Sequence, residues 1–122
     1  MKSASATPLT DSARLLKAFA DPVRLRLLHL LAGGGEVCVC HLHQALELPQ
    51  PTVSRHLASL RRAGLVAARK DGLWVHYRLA KPATPLHRTL IDCVSGCLSQ
   101  FDVLRDDRHR LQRLAPGCES SE

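Results

Sequence analysis

One stretch of this 122-residue chain constrains its fold more than any other: between Pro49 and Leu79 a proline-bracketed helical segment runs straight into an Asp-Gly turn flanked by two extended runs. Pro49-Gln50-Pro51 breaks the chain and opens a segment whose apolar residues, Val53, Leu57 and Leu60, recur at helical spacing, with Gly64 where a C-terminal cap belongs. Leu65 to Lys70 and Leu73 to Leu79 then flank Asp71-Gly72, among the strongest short-range hairpin signals. In the second run Leu73, Val75, Tyr77 and Leu79 alternate with Trp74, His76 and Arg78, which predicts a half-buried strand with the first set inward.

Upstream, Leu15, Leu16 and Phe19 mark a helix from Asp11. Asp21-Pro22 pairs an N-cap with proline at the first helical position, and Val23, Leu27, Leu30 and Leu31 form the stripe of a second helix that ends at Gly33-Gly34-Gly35. A short third helix spans Cys38 to Leu46, with Val39, Leu42 and Leu46 inward. Pro82 and Pro85 mark a junction before one long helix, about Leu86 to Leu114. This order predicts a mainly α fold with a β-hairpin wing, a winged helix-turn-helix. The expected divisions are a flexible tail over 1–10, the winged domain over 11–82, a C-terminal helical segment over 83–115 and a flexible tail over 116–122. Twenty-two leucines against 3% aromatic residues suit helices packed by leucine.

Charge narrows the partner. Seventeen Lys and Arg oppose eleven Asp and Glu, a formal +6 that favours an anionic partner. No apolar run approaches the roughly 20 residues of a membrane span, and the N-terminus lacks the apolar core of a secretory signal. A cytosolic compartment, where thiols stay reduced, is therefore expected. The five cysteines, an odd number, then read as free thiols or metal ligands rather than a disulfide framework.

At about 100° per residue, inward Val53, Leu57 and Leu60 leave Thr52, Arg55, Ser59 and Arg62 projecting from the opposite side of the fourth helix. Arginine bridges guanine edges or phosphates, and Thr and Ser bond to either. Between Gln50 and Lys70 stand five Lys or Arg and no Asp or Glu, as a surface lying on phosphates requires. Arg69 and Lys70, at the hairpin tip, are placed for the backbone or minor groove. A solvated basic face is the bland alternative, and the short helix before it and the hairpin after it weigh against that.

The stretches FADPVRLRLLHLL, EVCVCHLHQAL, LPQPTVSRHLASLRRAGLV and RKDGLWVHYRL, in this order from Leu15 to Leu79, resemble the ArsR/SmtB family of metal-responsive repressors. The resemblance implies a winged-helix homodimer, joined through terminal helices, that binds palindromic double-stranded operator DNA without a cofactor until an inducing ion lowers its affinity. It also implies Gln50, Thr52, Ser54, Arg55 and His56 as reading positions; the helical angles support Thr52 and Arg55 and put Ser54 and His56 towards the flanks.

Cys38-Val39-Cys40 stands where the third helix begins, and a helix N-terminus stabilises thiolate, the form that binds soft ions. Positions i and i+2 on a regular helix diverge by about 200°, so one ion reaches both only if the first turn unwinds or stays irregular. Ligation would then distort the helix supporting the recognition helix, a route to induction. The run CVC resembles the arsenite and antimonite subgroup, in which a third cysteine follows three residues on; here that position is His43. Two choices stay open: arsenite or antimonite held by Cys38 and Cys40 with a further thiol or a solvent oxygen, or a preference shifted by His43 towards zinc or cadmium. Cys93 and Cys97 extend a stripe of Leu86, Leu90, Phe101 and Leu104 that suits core or dimer packing, and they are secondary candidates for the ion. A redox- or persulfide-responsive repressor remains an alternative. A thiol enzyme is disfavoured, because no parallel sheet presents the pair and no P-loop, HExxH or Ser-His-Asp pattern occurs.

Overall fold

The computed structural model describes residues 8–114; the tails expected at either end, and Cys118, lie wholly or partly outside that range. Helix α1 runs Pro8–Phe19, so residues 8–10 belong to a helix and not to a tail. Helix α2 runs Pro22–Leu31, and Asp21 Oδ1 accepts from the backbone N–H groups of Val23 at 2.8 Å and Arg24 at 3.1 Å. Those bonds satisfy two of the donors that a first turn leaves open. Gly34 and Gly35 then reverse the chain at φ +99° and +76°, left-handed values that glycine adopts without steric cost.

The next elements are β1 Val37–Cys38, α3 Val39–Leu46, α4 Gln50–Arg62, β2 Val66–Asp71 and β3 Trp74–Leu79. The wing is a three-stranded antiparallel sheet in the order β1-β3-β2, with Val37 paired to Tyr77 and Cys38 to His76. A strand of two residues is too short for alternation to reveal it. In the hairpin Asp71 pairs with Trp74, so the turn is Gly72-Leu73, one residue later than the sequence suggested. Leu73 leaves the inward row and is 95% exposed, while Tyr77 and Leu79 pack on the core. His76, expected outward, is buried, because β3 is the central strand and Cys38 and Arg69 flank it in register.

Leu27 and Leu28 of α2, Leu42 and Ala45 of α3, and Val53, Leu57 and Leu60 of α4 are fully buried together. This shared core fixes the angle at which α4 leaves the domain.

The single C-terminal helix is broken. Helix α5 spans Pro85–Ser95, a 3-10 turn covers Cys97–Gln100, and α6 spans Asp102–Arg113. Gly96 sits at the break, where Ser95 and Ser99 hydroxyls donate to the carbonyls of Asp92 at 3.2 Å and Gly96 at 2.7 Å. Glycine and back-bonding serines both disfavour a continuing helix. Helix α6 folds back over α2 and α3, burying Leu104 and Asp107, so the expected stripe from Leu86 to Leu104 does not form one seam. Among the described residues no helix is long and apolar enough to cross a membrane.

Two core histidines make the fold acid-sensitive. Burial pushes the pKa of His29 and of His87 below the usual histidine value, and Arg108 beside His29 adds to its shift. The folded state therefore binds fewer protons than the unfolded chain once the pH drops below about 6.5. Their contribution is complete above that pH and is lost as the pH falls. Tm measured from pH 7.5 to 5 should stay level above about 6.5 and then decline; a flat profile would count against neutral burial of these rings.

Candidate nucleic-acid interface and thiol site

Helix α4 begins at Gln50 with Pro51 in its first turn, and its apolar face is pinned in the core. On the other side Arg55 is exposed, and it has no hydrogen-bond or ion-pair partner among the described residues. Thr52 is half-buried beside it, and Gln50 Nε2 donates to Ser54 Oγ at 3.1 Å. His56 turns towards α2, its Nδ1 3.8 Å from Asp21 Oδ1. Arg62 Nη2 donates to Ser59 Oγ at 3.2 Å in the last turns. Arg62 lies about 18 Å along the axis from Gln50. There it lines a cavity of about 760 Å³ with Arg14 of α1 and His87 of α5. A recognition helix meets base edges with its N-terminal residues, so the geometry favours Gln50 to Arg55 over Ser59 and Arg62 for that task.

The wing departs from the sequence expectation. Arg69 is held by Glu36, the residue before β1: Nε and Nη2 both donate to its carboxylate at 2.8–3.0 Å. That hydrogen-bonded guanidinium keeps the Glu36 carboxyl below the usual carboxylate range. The stretch without acids along the chain is therefore not without acids in space, while exposed Lys70 and Arg78 of the wing have no such partner among the described residues. Glu36→Gln should leave stability nearly unchanged, since exposed pairs contribute little. It should also release Arg69 towards phosphate, steepening the salt dependence of DNA binding by about one ion. An unchanged slope would remove Arg69 from the interface.

At the start of α3 the two sulfurs meet: Cys38 Sγ and Cys40 Sγ are 3.1 Å apart. Helical divergence does not separate them, because Cys38 is the N-cap, with extended φ −67° and ψ 143°, and lies outside the helix proper. Cys38 is a buried free thiol at the end of β1. Cys40, half-buried in the first turn, is disulfide-bonded, against the expectation of free thiols, so the two sulfurs are open to an ion together only in the reduced protein. His43 does not join them. Its Nδ1 faces the Leu48 carbonyl at 3.2 Å, beyond the C-terminal end of α3. Among the described residues no three His, Cys, Asp or Glu side chains gather into a set able to hold a metal.

Cys93 and Cys97 are free and exposed, not core residues. The Cys97 thiol, hydrogen-bonded to Cys93, raises the Cys93 pKa and favours the neutral form, which binds soft ions poorly.

Residues 21–68 match the family described as bacterial regulatory protein, arsR family. The arsenical resistance operon repressor of Escherichia coli is 54% identical over 69% of this chain and 72% of its own length. The chain belongs to the ArsR family. The arsenic resistance transcriptional regulator ArsR2 of Pseudomonas putida is another relative, 48% identical over 82% of this chain and 85% of its own. Among solved structures, the homodimeric winged helix-turn-helix DNA-binding domain of a possible ArsR-family regulator from Mycobacterium bovis is 32% identical with a TM-score of 0.64, covering 84% of this chain and 94% of that one. This ArsR-family chain is a winged helix-turn-helix transcriptional regulator, with α3 and α4 as its helix-turn-helix and β1, β3 and β2 as its wing.

Proposed function

We propose that this chain is a homodimeric repressor that holds operator DNA until a thiophilic ion, arsenite or antimonite, joins Cys38 to Cys40. The observation that carries the reading is the 3.1 Å approach of the two sulfurs. At a metal–sulfur distance of about 2.3 Å, that approach subtends an angle of about 85° at the ion. Such an angle suits the pyramid of a trivalent ion with a lone pair better than the tetrahedron of zinc or cadmium. A solvent oxygen or a further thiol supplies the third donor.

Cys38 ends a strand of the wing sheet, and Cys40 opens the helix packed beneath α4. An ion bonded to both acts on the junction between the two DNA-facing elements. It induces release because it binds better to the geometry that fits DNA less well. Gln50, Thr52, Ser54 and Arg55 meet base edges, while His56, Ser59, Arg62 and Lys70 serve the flanks and the phosphates, and Arg69 reaches phosphate only when it leaves Glu36. The dimer joins through terminal helices, where Leu9 and Leu16 of α1 and Phe101 before α6 are exposed. Its two recognition helices then stand about one DNA turn apart. No cofactor is needed for DNA binding, no catalytic step is involved, and the protein works in the cytosol.

The test is fluorescence anisotropy of the reduced protein on DNA from its own promoter region, titrated separately with arsenite, cadmium and zinc. Tight binding released by arsenite supports the reading. Release by cadmium or zinc alone would replace the ion, release by oxidant alone would make the site a redox switch, and absence of specific binding would overturn the function.

A further inference from the structure

Helix α6 carries a carboxylate that neither DNA contact nor ion capture uses. Asp107 is fully buried. Its oxygens accept from Arg26 of α2 through Nε at 2.8 Å and Nη2 at 2.9 Å, and from Arg110 Nη2 at 2.8 Å. Each guanidinium then donates onward to the C-terminal end of α3. Arg26 Nη2 reaches the Leu46 carbonyl at 2.9 Å, and Arg110 Nε the Ala45 carbonyl at 2.6 Å. Those carbonyls lie where intrahelical partners run out, at the end of a helix that favours positive charge. Helix α3 has eight residues, a rod of about 12 Å. Cys40 is in its first turn and this clamp grips its last.

We propose that the Arg26–Asp107–Arg110 cluster is a positioning element for induction, converting strain at the first turn of α3 into movement of the DNA-binding face. This rests on the reading of Cys38 and Cys40 as the ion site. If the far end of α3 were free, the helix would absorb the pull of an ion by fraying or shifting at Leu46, and α4 would stay where it is. Both arginines that grip the end of α3 are fixed on a carboxylate of α6, outside α3, so that end cannot yield alone. Only Asp107 is fully buried, and removing its charge leaves two part-buried guanidinium groups without their shared counter-ion, which makes the clamp stiff. The strain passes instead into the contacts among α2, α3 and α4, where it opposes the DNA-competent geometry.

Two substitutions test this. Asp107→Asn removes the charge at nearly constant size; Arg110→Lys keeps the charge but loses the planar fork that serves Ala45 and Asp107 together. For each reduced variant, the Kd for operator DNA is measured with and without saturating arsenite. The Kd for arsenite is measured without DNA from the absorbance of the arsenic–thiolate bond. Arsenite affinity and ion-free DNA affinity should stay within about threefold of the parent, while the ratio of the two DNA Kd values shrinks by about tenfold or more. A purely structural cluster would lower DNA affinity with and without arsenite alike and leave that ratio intact, which would overturn the proposal. Should Asp107→Asn fail to fold, Arg110→Lys decides. If arsenite does not release the parent protein, the two-sulfur reading fails and the coupling role with it. If the parent is released and the variants are released equally, the coupling role alone fails.

Discussion

Cys38→Ser and Cys40→Ser are each expected to keep operator binding and to lose arsenite-driven release. Serine has nearly the volume of cysteine, but its hydroxyl stays protonated at neutral pH and is a hard donor, so the ion keeps one sulfur of its pair. At Cys38 the exchange should not harm the fold. The residue occupies the N-cap of α3 yet makes no side-chain cap bond, and serine is among the preferred residues at that position. Unchanged or slightly raised Tm, unchanged DNA affinity and no release by arsenite form the expected set. DNA release by both variants at the parent's arsenite concentration would move the site elsewhere, with Cys93 and Cys97 the next to substitute.

Arg55→Ala is expected to cost about 1–3 kcal/mol of specific DNA binding, roughly 5- to 150-fold in Kd. The side chain is exposed on the open face of α4 without a protein partner, so its removal leaves no buried group unsatisfied and the fold should be untouched. Lys70→Ala supplies the contrast. A wing lysine on phosphate weakens binding to all sequences alike and lowers the salt slope by about one, whereas a base-reading arginine relaxes preference at one operator position. Anisotropy on a set of single-base operator variants at two salt concentrations separates the two. A uniform loss across that set for Arg55→Ala would reassign it to the backbone.

The candidate site was only partly legible along the chain. The CVC run and the basic face of α4 stand within short windows and could be read directly. The outcome for the sulfurs depended on whether Cys38 lies inside the helix or just before it, and one residue of boundary decides whether two side chains diverge or meet. His43 looked like a third ligand from spacing alone, but the turn after α3 supplies the Leu48 carbonyl to its ring.

What the sequence determined by itself is local: the Asp21 cap, the stripe of Val53, Leu57 and Leu60, a hairpin turning at Gly72 and the Cys-Val-Cys run. Periodicity, capping and turn chemistry act over a few residues, so a window of that size contains their causes. Only the tertiary structure decided that Glu36 neutralises Arg69 across 33 positions, that Asp107 clasps Arg26 across 81, and that the terminal helix breaks near Gly96 and folds back. Those pairings arise when the chain closes on itself and buries charges that must find partners, and no periodicity along the sequence records which partner that will be.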